Sequence, residues 1–269
     1  MLKKTRTNGS PKASPAPTPR DRQLRSRVRL LGDILGRLLR EHAGRQVFSA
    51  VETLRKGHIS LRKQDNPRKR RRLARLLESL DPSSLVHVVR AFSIYFSLVN
   101  VAEEAYQHRQ RRRELSRHGP TWTGSFGRVL QELHDQGMSA EQMQTLLDHL
   151  RYSPVLTAHP TESKRRTIMD ALRRIFVVSE QLDATRLNQV QREEVVRQLE
   201  REIQVLLKTD EVRVQKLTVL DEVQNGLYYF RESLFKAVPQ TYRNMERYLQ
   251  LLYGPGTIKV PSYIRFGCV

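Results

Sequence analysis

The sequence has few cysteines, few aromatic residues and no apolar stretch near its start, and each shortage excludes a class of protein. Its 269 residues include one cysteine, Cys268, and one tryptophan, Trp122. A single cysteine excludes an internal disulfide framework and indicates a reducing compartment. The first twenty residues lack the apolar core of a signal peptide, and we expect no membrane-spanning run. The sequence therefore predicts a cytoplasmic protein that does not insert into a membrane.

Acidic side chains are also scarce relative to basic ones, and the excess of basic residues is unevenly distributed along the chain. The net charge is +20, which raises nucleic acid as a possible partner. Residues 1–30 and 61–75 supply +15 of that charge, and neither stretch interleaves aromatic side chains that could stack on bases. We therefore favour a basic tail and a solvated helix face. A basic helical protein that binds nucleic acid or another partner remains the alternative function.

Three segments are predicted from composition and apolar spacing. Residues 1–22 are predicted to form a disordered basic tail, since they hold few apolar side chains. Residues 23–150 show helical periods: two helices or one bent helix from Leu30, a helix opened by Asn66, and a long one after Asp81. A weaker segment follows, and then Ser139 and Gln142 form a capping box for a helix that ends near Leu150.

The third segment, residues 151–269, opens with a strand, a turn and a helix. The apolar run 155–158 precedes His159 and Pro160, and a residue before proline is held out of the helical region. Lys164, Arg165 and Arg166 then begin a helix, where cations oppose the helix dipole unless an anion is bound. The pattern indicates an anion site as one interpretation, which the spacing alone does not favour. The alternative is a buried strand end with an incidental histidine and a solvated arginine face.

The rest of this segment is predicted to be helical until a second strand within residues 258–266. Helical periods with a polar bend near 185–191 lead to a helix from Asp221, which Pro239 should break. Two strands joined by a long helical excursion resemble a crossover in a parallel sheet or barrel. Two parallel strands cannot bury both faces of a sheet, so we expect an incomplete barrel. The predicted fold is mainly α-helical, with an N-terminal helical region and the first βα unit of an incomplete (β/α)8-type barrel.

The central motif resembles the first active-site signature of the phosphoenolpyruvate carboxylase family. The residues that carry this resemblance are Val155-Leu156-Thr157-Ala158-His159-Pro160-Thr161-Glu162, followed by Arg165-Arg166-Thr167. Further similarity lies in Leu30-Leu31-Gly32-Asp33-Ile34-Leu35-Gly36, in Asn100-Val101-Ala102-Glu103-Glu104 and in Thr209-Asp210-Glu211-Val212-Arg213. The resemblance begins near Leu24 and covers roughly the first third of the family's length. A fragment, a premature stop and a genuine short product remain open.

The resemblance implies a lyase that joins bicarbonate to phosphoenolpyruvate, giving oxaloacetate and phosphate. It implies His159 as the catalytic base, Arg165 and Arg166 as groups that hold the turn or assist the anion, and Thr209, Asp210 and Arg213 as supporting residues. It also implies Mg²⁺ or Mn²⁺, with ligands expected outside this chain, and a homotetramer for a complete enzyme. The 269-residue chain alone is expected to be inactive.

Overall fold

The fold is built almost entirely from helices. The computed structural model describes residues 19–119, 122–156, 165–183, 187–210, 218–265 and 267–268. The helices in this part of the chain are α1 (Pro19–His42), α2 (Gly44–Lys63), α3 (Pro67–Glu78), α4 (Pro82–His118), α5 (Phe126–Asp135), α6 (Ala140–His149), α7 (Arg166–Gln181), α8 (Gln189–Lys208), α9 (Val219–Tyr229) and α10 (Phe235–Tyr253). A π-helical turn, Phe230–Leu234, joins α9 to α10. The prediction of a mainly helical protein is confirmed.

Local sequence signals set several of the helix starts. The Asn66 side chain accepts a hydrogen bond from the Lys69 backbone N–H at 3.1 Å, and Pro67 occupies the first helical position of α3. Ser139 and Gln142 form the predicted capping box of α6. Thr218 and Asp221 form a second box, so α9 begins at Val219, two residues before the predicted start.

Two predicted boundaries are wrong. Helix α1 begins at Pro19, so residues 19–22, which composition assigned to the disordered tail, are helical. Residues 1–18 of that tail lie outside the described residues. Pro239 lies inside α10 and does not break it. Proline removes one backbone donor, and the helix continues because its apolar face is held by packing, with Met245 and Leu249 both buried.

Contacts divide the chain into two compact units. The helical unit comprises Met1–Tyr106 and Ala171–Lys208, and the strand-bearing unit comprises Gln107–Asp170 and Thr209–Val269. Both units combine segments that are distant in sequence. The predicted domains, residues 23–150 and 151–269 of this chain, stay a prediction.

The helical unit has a core of apolar helix stripes. Helix α1 packs against α2 and α8. The stripe that α1 contributes is buried throughout and consists of Leu31, Ile34, Leu35, Leu38 and Leu39. Helix α8 contributes the fully buried Leu199 and Ile203. Arg27 donates to the Ser179 carbonyl and pairs with Asp183 at 2.8 Å, which fixes α1 against the end of α7. These contacts make a closed helical core.

The strand-bearing unit has a separate core between α5, α6 and α10. Its buried members are Leu130, Met143, Leu147, Met245, Leu249 and Tyr263. The Tyr242 and Tyr263 rings lie 4.8 Å apart. The Tyr242 hydroxyl also accepts hydrogen bonds from the backbone N–H groups of Tyr263 and Ile264, at 2.9 and 3.0 Å. Helix α10 thereby holds the chain that leads to the second strand.

A short parallel strand pair lies beside this core. Strand β1 (Val155–Leu156) pairs with β2 (Gly267–Cys268), and an isolated parallel bridge joins Tyr152 to Ile264. The parallel pairing is present, but β2 follows the stretch 258–266 that is predicted as the second strand, which contributes the bridge at Ile264. Each of the two strands has only two residues. The pair by itself does not show the predicted barrel unit.

Helix α4 corrects the expectation about membrane spans. Its segment Pro82–Arg117 is long enough and apolar enough to cross a bilayer by length and composition. Helix α4 meets this criterion because it carries apolar residues on two sides. Ile94 and Leu98 are buried, whereas Val89 and Phe96 are exposed. One such helix is weak evidence for a membrane, because core helices of soluble proteins meet the same criterion.

Candidate functional site

The sequence motif falls between a strand end and a helix start. Strand β1 ends at Leu156, and α7 begins at Arg166. His159 lies in the segment 157–164, and Arg213 lies in 211–217; both segments are outside the described residues. The catalytic assignment of His159 and the supporting role of Arg213 therefore stay predictions. The structure describes Arg165, Arg166, Thr209 and Asp210.

Arg165 closes the first turn of α7 through its backbone. Its carbonyl accepts hydrogen bonds from the N–H groups of Ile168 and Met169, at 2.9 and 3.3 Å. Ile168 is buried and anchors this turn, and Arg165 is half-buried. The turn that follows the motif is therefore fixed by packing and backbone bonds. The role of the Arg165 side chain stays a prediction.

Arg166 is positioned by an aromatic ring from a distant helix. Its guanidinium carbon lies 4.1 Å from the centroid of the Tyr228 ring, a cation–π contact. Tyr228 lies on α9, and its hydroxyl donates to Asp170 Oδ1 at 3.2 Å. Asp170 lies one helical turn after Arg166 on α7. Tyr228 thus contacts two consecutive turns of α7 and restricts where the Arg166 charge can lie.

The N-terminal cap of α9 helps to place Tyr228. The Thr218 backbone N–H and hydroxyl both donate to Asp221 Oδ2, at 2.9 and 2.7 Å, and the Asp221 N–H donates to the Thr218 hydroxyl at 3.3 Å. A reciprocal cap of this kind fixes the start of a helix. The Tyr229 ring packs edge-on against Tyr228 at 5.5 Å. Together these contacts hold the ring that faces Arg166.

Thr209 and Asp210 follow directly after the last residue of α8. Thr209 is half-buried and Asp210 is exposed. Their positions place them at a helix end, after which the chain leads through 211–217 to the cap of α9. Their supporting role in the site stays a prediction.

Sequence reasoning missed Tyr228 and Asp170 as site residues. The helical period placed Tyr228 on an apolar face, but its hydroxyl and ring both contact α7. The hydrogen-bonded pair is 58 residues apart in sequence, so no local pattern links its members. The sequence feature that could have indicated this contact is the spacing of Arg166 and Asp170, which puts a cation and a carboxylate on one helix face.

Comparisons with known proteins extend the similarity over nearly the whole chain. The phosphoenolpyruvate carboxylase family model matches residues 24–268. The phosphoenolpyruvate carboxylase of Nitrosomonas europaea is 34% identical over 267 residues, covering 99% of this chain and 28% of that protein. The enzyme of Roseiflexus castenholzii is 36% identical over 256 residues, covering 93% of this chain and 27% of the relative.

A third relative gives the same result. The phosphoenolpyruvate carboxylase of Ralstonia nicotianae is 34% identical over 237 residues, covering 88% of this chain and 24% of its own length. The chain thus spans about a quarter of the length of the curated relatives that it matches. The family match, in contrast, covers far more than half of the chain. The chain belongs to the phosphoenolpyruvate carboxylase family.

Proposed function

We propose that this chain contributes to the carboxylation of phosphoenolpyruvate by bicarbonate, which yields oxaloacetate and phosphate. The observation that carries the proposal is the family match over residues 24–268, which includes the motif around His159. In this reaction a bicarbonate oxygen attacks the phosphoryl group, and carboxyphosphate and the enolate of pyruvate form. Carboxyphosphate then releases CO₂ and phosphate, and the enolate carbon captures the CO₂. The substrates proposed for the complete enzyme are therefore phosphoenolpyruvate and bicarbonate.

His159 is proposed as the group that accepts a proton during this sequence. An imidazole has an ordinary pKa of about 6.5, so it can take up and release a proton near neutrality. Its place before Pro160 favours an extended backbone at the strand end. This geometry would direct the ring toward the carboxyl ends of parallel strands, where barrel enzymes hold their substrates.

Arg166 is proposed to stabilise negative charge on the substrate. The supporting observation is its contact with Tyr228, because a preoriented cation needs little reorganisation as charge develops. Arg165 would hold the turn at the start of α7. The supporting residues, which would not contact the substrate, are Thr209, Asp210 and Arg213. Within this proposal, the β1–β2 pair is the first part of the incomplete (β/α)8-type barrel.

Mg²⁺ or Mn²⁺ is proposed as the cofactor of the complete enzyme. Among the described residues, no group of three or more His, Cys, Asp or Glu side chains could hold a metal ion. The donor set described here therefore does not fit such an ion. The ligands of the metal ion are proposed to come from other segments of the complete enzyme.

A homotetramer in the cytoplasm is the proposed state of the complete enzyme. The single cysteine supports the reducing compartment. The alternative function, a basic helical protein that binds nucleic acid, gains no support from the relatives, whose names all describe the carboxylase.

A chimera tests the proposal. The 269-residue chain would be joined to the remaining part of the Nitrosomonas europaea relative, and phosphate release would be measured with Mg²⁺, bicarbonate and phosphoenolpyruvate. We expect turnover on the order of 1 per second or more for the chimera. We expect no bicarbonate-dependent turnover from the chain alone, because about a quarter of the family length supplies only part of the required charge stabilisation.

The control is the same relative segment without this chain, which should also be inactive. An inactive chimera that is folded would contradict the proposed function. Activity of the isolated chain would contradict the proposal that it is inactive alone.

A further inference from the structure

A groove in the helical unit lies between α1, α2 and α4, outside the proposed active site. Its volume is about 740 Å³, which is in the size range of binding sites in proteins. Apolar and aromatic side chains form much of its lining, among them Val28, Phe48, Val51, Phe92 and Tyr95. The groove therefore offers an apolar surface that is already formed.

Two glycines let the aromatic rings lie close to α1. A Cβ atom on Gly32 would lie 3.5 Å from the Tyr95 ring, and one on Gly36 would lie 3.2 Å from the Phe48 ring. The second distance is tighter than an ordinary van der Waals contact, so a larger residue at position 36 would displace the ring. Gly36 thus preserves the shape of the groove beside Phe48, whereas a side chain at position 32 would make an ordinary contact with Tyr95.

The α1 side of the groove is bordered by arginines. Arg25, Arg29, Arg37 and Arg40 all line it and are exposed, with Asp33 as the acidic residue among them. Arg25 to Arg40 comprises sixteen helical residues, whose fifteen steps of about 1.5 Å span about 22 Å of helix axis. The basic border is therefore as long as about four turns of a helix.

Part of this charge is not neutralised locally, although Arg37 pairs with Glu200 of α8 at 3.2 Å. Arg25 and Arg29 make no ion pair within the part of the chain that the structure describes, and Arg40 lies over the Phe48 ring at 4.3 Å. On the α2 side, Glu52 is already bound by Arg55 at 2.7 Å, and that hydrogen bond lowers the pKa of the Glu52 carboxyl. The groove thus keeps a positive border beside its apolar floor.

We propose that this groove binds an acidic amphipathic helix from another polypeptide. The apolar floor fits the apolar stripe of such a helix, and the arginines of α1 fit carboxylates on its flank. The length of the border favours a helix over a small molecule. A second copy of this chain carries the same charge of +20 and is disfavoured as the occupant. The inference does not depend on the proposed carboxylase activity.

The test uses a fluorescein-labelled peptide of about 16 residues, the length of the border. Its leucines repeat at intervals of three and four, and glutamates flank them. Fluorescence anisotropy with the full 269-residue chain should show saturable binding. The double variant Arg25→Glu/Arg29→Glu should weaken binding by about tenfold or more, because two charge pairs become two repulsions.

The matched control is Arg71→Glu/Arg72→Glu on α3, which changes the net charge by the same amount outside the groove. This control should change the affinity for the peptide by less than about twofold, because salt screens charges that lie outside the groove. Val28→Trp, which fills the groove without changing charge, should also weaken binding. Circular dichroism would establish that each variant keeps its helices. A peptide of the same composition without the apolar stripe should not bind saturably.

Equal weakening by the α1 and α3 variants, or equal binding of the scrambled peptide, would overturn the proposal in favour of general attraction. Binding of a fluorescent long-chain carboxylate without binding of the peptide would assign the groove to a small amphiphile and also overturn it. If the chain self-associates and Val28→Trp abolishes that association, the occupant of the groove is a second copy of the chain. This result would also overturn the proposal.

Discussion

The two units of the molecule differ in how completely they bury their apolar helix faces. In the helical unit, Leu199 and Ile203 of α8 are fully buried. In the strand-bearing unit, α9 exposes Val219 at 77% and Leu220 at 66%, and α10 exposes Phe235 at 69%. The core between α1 and α8 is thus covered by helices of its own unit, whereas α9 carries apolar surface that no described residue covers.

The exposed surface of α4 limits this contrast. Val89 and Phe96 are exposed, although Ile94 and Leu98 on the same helix are buried. The helical unit is therefore closed between α1 and the buried face of α8, and it is open on one side of α4 and along the groove beside α1. Exposed apolar surface of this kind marks places where further protein can pack.

The largest expected effect concerns the motif that precedes α7. In the chimera, His159→Asn should lower kcat by about 10²- to 10⁴-fold, because a base acts mainly in the transition state. KM for phosphoenolpyruvate should change far less. Steady-state kinetics of both chimeras would measure this. A raised KM with unchanged kcat would show that His159 binds substrate and does not act as the base.

The second effect compares one core residue with one exposed residue. Ile203→Ala should lower the free energy of unfolding by about 2–5 kcal/mol, because it leaves a cavity in the closed core. Leu227→Ala on α9, where the side chain is 48% exposed, should change it by about 0.5 kcal/mol or less. Urea titration of the full chain would measure both. A cost for Leu227→Ala that matches Ile203→Ala would mean that α9 is covered in solution.

Hydrogen exchange sharpens the same comparison without mutation. The amides of Tyr152 and Arg265 are hydrogen-bonded in the bridge beside the strand pair, at 2.8 and 3.0 Å. Because the strands are short and Tyr152 is exposed, these amides should exchange at least about tenfold faster than that of Ile203 in α8. Equal protection of the three amides would mean that the strand pair belongs to a self-sufficient core.

The smallest effect separates the two contacts of Tyr228. In the chimera, Tyr228→Leu removes the ring beneath Arg166 and should lower kcat/KM by about tenfold, within the range of a cation–π contact. Tyr228→Phe keeps the ring and removes the bond to Asp170, so its effect should stay within about threefold. Equal losses in both variants would assign the role of Tyr228 to the hydroxyl.

Much of the fold could be predicted from local pattern. Asn66, the pair Ser139 and Gln142, and the apolar period of α1 and α8 carry their signal within a few residues, and the structure agrees with them. The exceptions have a common physical cause. Composition assigns residues 19–22 to the tail because they lack apolar side chains, and Pro239 is expected to break a helix because it lacks a backbone donor, but the helices to which they belong are held by packing further along the chain.

The site was predictable only where its residues are consecutive. The motif around His159 and the two arginines could be read as one string, because a strand, a turn and a helix follow one another there. Tyr228 and Asp170 could not be assigned to it, since a hydrophobic period does not distinguish a tyrosine that packs from one that orients a cation.

The family, the helical class and most helix starts follow from the amino-acid sequence, because motif identity, capping and apolar spacing are properties of neighbouring residues. Which distant segments meet is a property of the folded chain. The tertiary structure paired Val155 with Gly267, placed Tyr228 against Arg166 and combined residues 171–208 with the N-terminal helices. Such contacts depend on shape and charge brought together by the whole chain, and a single sequence does not record them.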